Sequence, residues 1–221
     1  NSGETVGIIG HTGSGKSTLV NLIARLFEVY EGKLLIDGRD IKSYKLGELR
    51  TSIGYVPQET FLFSDTIENN IAYSESRFDK DKVIQAAKIS QIYKDIDNFP
   101  KRFDTVLGER GINLSGGQKQ RTSIARAIVS DPKILILDDA FSAVDTYTEE
   151  EILNGLKEVM KNRTTILISH RVSTLKNSDR IIVLKDGTIA EEGKHEALIQ
   201  QEGIYADIYF KQLLEEELKG L

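Results

Sequence analysis

Residues 6–17 read Val6-Gly7-Ile8-Ile9-Gly10-His11-Thr12-Gly13-Ser14-Gly15-Lys16-Ser17. The first four form a short apolar run that reads as a buried strand, and an apolar helical stretch runs from Lys16 to Phe27. The loop between them fits G-x-x-x-x-G-K-[ST]. Glycines let backbone N–H groups turn inward toward an anion, and the helix N-terminus adds partial positive charge. A glycine-rich turn alone would satisfy the string, but a strand before it and a helix after it make it a phosphate cradle. Gly10, Thr12, Gly13, Ser14, Gly15, Lys16, Ser17 and Thr18 are its candidate binding residues. Lys16 is placed to reach the β- and γ-phosphates of ATP and Ser17 to ligate Mg²⁺. His11 stands at a variable position and receives no role.

Outward from the cradle, apolar β-rich runs alternate with helical patterns. Lys33–Ile36 reads as a strand stopped by the turn Asp37-Gly38, and Ile53–Val56 as a strand stopped by Pro57. From about Thr60 to Ser130 the pattern is almost wholly helical, carried by Val83, Ala86, Ala87 and Ile92 and again by Ile124, Ala127 and Ile128. Strands resume at Ile134–Leu137, Thr164–Ile168 and Arg180–Leu184, with a helix after each of the first two. Asp186-Gly187 then turns the last into a hairpin with Thr188–Glu191, and residues 204–218 form an amphipathic helix that packs on the core. Buried strands separated by helices imply an α/β fold with a mostly parallel sheet covered on both faces, and the mid-chain block reads as an inserted α-helical subdomain.

Composition bounds the function. The 221 residues hold 29 Lys and Arg against 34 Asp and Glu, a formal charge of −5, which argues against nucleic acid as a partner. With no cysteine there is no disulfide framework, thiolate metal site or cysteine nucleophile. No uninterrupted apolar run exceeds four residues, too few for a membrane-spanning helix. The opening Asn1-Ser2-Gly3-Glu4-Thr5 lacks the features of a signal peptide and leads straight into a strand, as in a piece of a longer chain.

Two further strings narrow the class. Ile134-Leu135-Ile136-Leu137-Asp138-Asp139 is an apolar strand ending in acid, which places Asp138 at the C-terminal sheet edge to hold Mg²⁺. Leu114-Ser115-Gly116-Gly117-Gln118 opens a helix and makes a second anion site. With Gln58 after a strand, Ser142-Ala143-Val144-Asp145, and Ser169-His170, the ordered set resembles the nucleotide-binding domain of ABC transporters over essentially the whole chain.

That resemblance implies a P-loop NTPase (RecA-like) core over residues 1–57 and 131–221, with the helical subdomain at 58–130. It implies a head-to-tail dimer in which each ATP lies between one subunit's cradle and the other's Ser115, Gly116, Gly117 and Gln118. Gln58 would contact Mg²⁺ and the γ-phosphate, His170 the γ-phosphate, and Asp145 would cross the interface. Gln58 to Ile71 and the loop Thr105–Gly111 are similar to the exporter branch, which implies coupling to transmembrane domains at the cytoplasmic face of the cell membrane.

Two features depart from the family. The residue after the Mg²⁺-binding acid is normally glutamate and here is Asp139, shorter by one methylene, so its carboxylate sits about 1.5 Å back from the attacking water. This resembles the degenerate half of asymmetric exporters and implies a heterodimer whose other subunit carries the glutamate. A slow homodimeric ATPase, or an ATP-gated regulatory module with negligible hydrolysis, stays open. Only nine residues precede Gly10, too few to include the family's adenine-stacking aromatic, so the resemblance implies weakened nucleotide binding by this chain.

Overall fold

The structure is a computed structural model describing residues 1–73, 79–108 and 114–219. Its centre is a six-stranded sheet of β1 (Thr5–Ile9), β4 (Ile53–Val56), β5 (Ile134–Asp138), β6 (Thr164–Ile168), β7 (Arg180–Lys185) and β8 (Thr188–Gly193). The spatial order is β4-β5-β6-β1-β7-β8. The first five of these run parallel, and β8 closes the edge antiparallel to β7. β2 (Leu35–Ile36) and β3 (Arg39–Asp40) form a separate small hairpin.

Alternation along the strands divides the core between the two faces of the sheet. Ile8, Ile136 and Ile168 pack with Val6, Val20 and Leu184 on the face covered by α1 (Lys16–Ile23). Ile9, Leu135, Leu137, Leu167, Ile181 and Val183 join the larger cluster on the other face. Because both faces are covered, the strands read as nearly continuous apolar runs. The larger cluster continues into the helices α3 (Ile67–Ala72), α4 (Lys80–Ile89), α5 (Tyr93–Asn98) and α6 (Gly116–Ile128). There α3, α4 and α6 pack against one another, and α6 packs against β4. The remaining helices are α2 (Leu46–Thr51), α7 (Thr146–Met160), α8 (Val172–Leu175), α9 (His195–Gln200) and α10 (Ile204–Lys219).

Both Asp-Gly turns connect hairpins. Asp37 and Gly38 have φ of 50° and 74°, and Asp186 and Gly187 have 48° and 77°, the double-positive geometry that matches strand twist. The helix expected from Lys16 to Phe27 ends at Ile23. Arg25 takes φ 49°, its N–H donates to the Leu22 carbonyl and the Leu26 N–H to the Asn21 carbonyl, which is a Schellman closure without glycine. The Arg25 guanidinium holds the turn by donating to the Tyr44 carbonyl at 2.9 Å. The block from Thr60 to Ser130 is less helical than its pattern. Before α3 and between α5 and α6 the described chain is irregular apart from a 3₁₀ turn at Arg102–Asp104, and Thr66 bridges Val106 antiparallel. The short helix α2 carries too few apolar positions to show a period.

β4 and α6 meet at Gly54, where an added Cβ would lie 2.3 Å from the Ala127 carbonyl oxygen and 2.7 Å from Pro132 Cγ. The Gly54→Ala variant should therefore lose about 1–3 kcal/mol of stability through overpacking. A urea unfolding midpoint unchanged from wild type would contradict this contact.

Candidate nucleotide-binding site

The cradle follows from the end of β1. Gly13 and Gly15 take φ of 83° and 99°, which a side chain would resist, and they turn the loop around a central space. Gly15 is the N-cap of α1 and brings no capping side chain, so the first helical N–H groups face that space without an intrahelical partner. Lys16 is only 7% exposed. Its ammonium folds over the loop and donates to the carbonyls of Gly10 at 2.7 Å and His11 at 3.0 Å. Burial pushes this ammonium below its usual range, while Asp138 and Asp139 act in the opposite direction.

Asp138 ends β5 and is 2% exposed. Burial raises its carboxyl, the hydrogen-bonded Ser17 hydroxyl draws it back, Asp139 adds to the rise, and Lys16 and His170 oppose it. Asp139 follows in the left-handed region at φ 50°, its N–H donating to the Ile168 carbonyl at 3.0 Å. Gln58 comes just after β4, and His170 just after β6. Because β4, β5, β6 and β1 are parallel neighbours, all four contributions emerge at one edge, spanning about 14 Å at the usual strand spacing.

The result is one cleft of about 220 Å³ lined by Thr12, Gly13, Gly15, Lys16, Ser17, Thr18, Gln58, Asp138, Asp139 and His170, with Ile168. Gly10 and Ser14 lie behind it: Gly10 supplies a carbonyl to Lys16, and the Ser14 hydroxyl lies 3.5 Å from the ammonium. Among the described residues no group of three or more histidine, cysteine or acidic side chains could hold a metal alone. Ser17, Gln58 and Asp138 instead suit an ion that arrives already bound to phosphate, as Mg²⁺ does when it keeps water and takes only one or two carboxylates.

Ser115, Gly116, Gly117 and Gln118 are not among the residues lining that cleft. They open α6 with a reciprocal cap in which Gln118 N–H donates to Ser115 Oγ at 3.2 Å and Ser115 N–H to Gln118 Oε1 at 2.9 Å. The Gln118 amide nitrogen also donates to Asp95 at 2.8 Å, so both ends of this side chain bond within the chain. The helix start lies against the loop before α7: a Cβ on Gly117 would sit 2.8 Å from the Ala143 carbonyl oxygen. Asp145 caps α7 by accepting from Thr148 N–H at 2.9 Å, and this bond holds its carboxyl below the usual range. The structure thus brings Ser115–Gln118 and Asp145 together on one surface, apart from the cradle.

Gln120 joins the two constellations and was not singled out in the sequence. It is 4% exposed. Its Nε2 donates to Ser142 Oγ at 2.7 Å and to the Asp139 carbonyl at 3.4 Å, and its Oε1 accepts from Ala143 N–H at 2.9 Å. The available signal was a glutamine one helical turn from Ile124 and two from Ala127, on the buried stripe of α6. A further feature lies on the helical block. Phe61, Tyr73 and Val106 are 48%, 64% and 58% exposed. Phe63 stacks on Tyr73 with centroids 4.4 Å apart, and the Arg126 guanidinium lies over both rings. The loop expected at Thr105–Gly111 is described only to Gly108 and lies beyond that outside the described residues.

The ABC transporter family model matches residues 1–142. The chain is 49% identical over 94% of its length to the ATP-dependent lipid A-core flippase of Desulfotalea psychrophila. It is 51% identical over 95% of its length to the uncharacterized ABC transporter ATP-binding protein YknU of Bacillus subtilis. In each case it spans 36% of the relative's length. A solved bacterial Atm1-family ABC exporter with ATP bound superposes with a TM-score of 0.93 at 45% identity, over 96% of this chain and 37% of that one. With the cradle, the acid-terminated strand and the Leu-Ser-Gly-Gly-Gln helix cap held in this fold, the chain belongs to the ABC transporter family, as a nucleotide-binding domain of exporter type.

Proposed function

We propose that the chain binds and hydrolyses Mg-ATP as the motor of a membrane exporter, closing head to tail on a second nucleotide-binding domain. One observation carries this reading: Gln58, Asp138, Asp139, His170 and the cradle line one cleft, while Ser115–Gln118 form a helix cap outside its lining. A second candidate phosphate-binding segment outside the cleft is suited to completing the cleft of another subunit.

In this reading Lys16 and the free N–H groups of α1 bind the β- and γ-phosphates. Ser17, Asp138 and Gln58 hold Mg²⁺, which when bound spreads the phosphate charge and orients the terminal phosphoryl group. His170 contacts the γ-phosphate. Asp139 orients the attacking water, and the transfer is driven by positioning and charge stabilisation. Ser115, Gly116 and Gly117 complete the second subunit's pocket, Gln118 acts through the cap that it closes, and Asp145 lies at the interface. Loss of the γ-phosphate removes the contacts that favour the closed dimer. The helical block at 58–130 acts as an inserted subdomain, and its exposed surface of Phe61, Tyr73 and Val106 suits docking to transmembrane domains at the cytoplasmic membrane face. No helix among the described residues is long and apolar enough to cross a membrane itself.

The second subunit is proposed to be a different chain that carries glutamate where this one has Asp139. The shorter carboxylate then leaves this chain's own cradle slow, while its intact Ser115–Gln118 cap serves the faster site.

With hydrolysis blocked, ATP should drive the chain into a dimer with a glutamate-bearing second nucleotide-binding domain, read by sedimentation, and Lys16→Ala should weaken ATP binding about 10- to 100-fold, the worth of a charge-assisted hydrogen bond. Subunits that stay apart at saturating ATP, both alone and with that partner, would contradict the dimer. Calorimetry showing unchanged affinity would contradict the cradle. Asp139→Glu should raise ATP turnover about 10- to 100-fold without altering ATP affinity. Equal turnover in the two forms would reject the slow-site reading.

A further inference from the structure

Gln212 lies on α10 and was assigned nothing by the sequence. Its Nε2 donates to the His170 carbonyl at 2.6 Å, and its Oε1 accepts from Val172 N–H at 2.8 Å. One carboxamide therefore grips the backbone on both sides of Arg171. Val172 begins α8, a helix whose N-cap, Arg171, provides no side-chain cap. Gln212 supplies from another helix the acceptor that this end lacks.

The arm that carries Gln212 is firmly anchored. Glu191 on β8 accepts from the N–H groups of Ile204 and Tyr205 at 2.5 and 3.1 Å, closing the start of α10. Tyr205 is fully buried and its hydroxyl bonds His195 Nδ1 at 2.8 Å. The apolar contacts of Tyr205, Ala206, Ile208 and Tyr209 already dock the helix. The Gln212 grip lies two turns further on and adds direction rather than burial. Between α10 and the cradle a cavity of about 370 Å³ is bordered by Gln212, His170, Gly10 and Thr12. The His170 peptide is thus held from the α10 side, while the residue also lines the nucleotide cleft. On the opposite side Arg171 and Thr174 bond the buried Glu149 of α7, so the loop is bracketed by two helices.

We propose that Gln212 is a positioning residue for His170: α10, through this one carboxamide, fixes the backbone that aims His170 at the nucleotide. The proposal rests on the reading of His170 as the γ-phosphate contact.

The test uses the 221-residue chain carrying Asp139→Glu, paired with a second nucleotide-binding domain whose own catalytic glutamate is replaced by glutamine, so that turnover reports this chain's cradle. Gln212→Met keeps the side-chain length and removes both hydrogen bonds, and Gln212→Ala removes the length as well. Each should lower kcat for ATP about 10- to 100-fold, the scale of a misplacement near 1 Å, with KM for ATP changed less than about twofold. Amide exchange at Val172 should quicken. In a His170→Ala background, Gln212→Met should cause no further loss. Wild-type kcat in Gln212→Met beside an inactive His170→Ala would overturn this inference alone, as would an equal loss in both backgrounds. Wild-type turnover in His170→Ala would overturn the reading of His170, and with it any catalytic role for Gln212.

Discussion

Burying one lysine and one aspartate at the same edge of a parallel sheet is the constraint on which the rest depends. Lys16 and Asp138 are both almost wholly covered, and an isolated charge of either kind at such a depth would neutralise. The field of each only partly offsets the burial of the other, and the Ser17 hydroxyl on Asp138 and the loop carbonyls of Gly10 and His11 on the ammonium supply the rest of the stabilisation. The arrangement requires β1 and β5 to end at the same edge, and therefore to be parallel, and therefore to be connected by long crossovers. The helices of those crossovers cover both faces, which is why the strands are apolar throughout.

The order of strands converts that constraint into a site. β6 lies between β5 and β1, so His170 emerges between the acids and the cradle, and β4 adds Gln58 on the far side of β5. α6 ties this edge to the Ser115–Gln118 cap. It is pressed onto β4 at Gly54, begins at the Ser115 cap, and reaches back through Gln120 to the loop that starts at Asp139. A shift of α6 along its axis would move the helix start and disturb the Asp139 loop in one step. The buried amide of Gln120 makes that coupling stiff, because leaving its donor or acceptor unpaired in the core would cost about 1–3 kcal/mol.

Much of this was legible because it is written locally. A glycine loop between a strand and a helix, acids ending an apolar strand, and two Asp-Gly turns are each decided by a few adjacent residues. The structure puts the cradle, β5, β6, β7 and both turns where those residues indicate. What was not legible depends on contacts between distant segments. Arg25 ends α1 in a conformation that sequence reading reserves for glycine, held by a hydrogen bond to Tyr44. The mid-chain block is less helical than its pattern because stretches between its helical positions, with buried Leu62 and Leu107, are irregular chain, where buried apolar residues do not mark a helix face. Gln118 was readable as part of an anion site, but its bond to Asp95, 23 residues away, has no sequence signature.

Asp139 joins the local and the distant. In the left-handed region a residue needs a short polar side chain to offset the steric cost, and aspartate meets that need better than glutamate. On the proposed role of Asp139, the side chain that would draw the carboxylate back from an attacking water is also the one that relaxes the backbone that carries it. Under that proposal, slower chemistry and an easier main chain would both come from one methylene. This would favour retaining aspartate at a site whose task is to hold nucleotide, and would disfavour it at a site that must turn over quickly. Gln120 and the Ile168 carbonyl hold the peptide on both sides of Asp139, so the cost of the longer side chain would be felt as strain within a fixed loop rather than as movement of the loop.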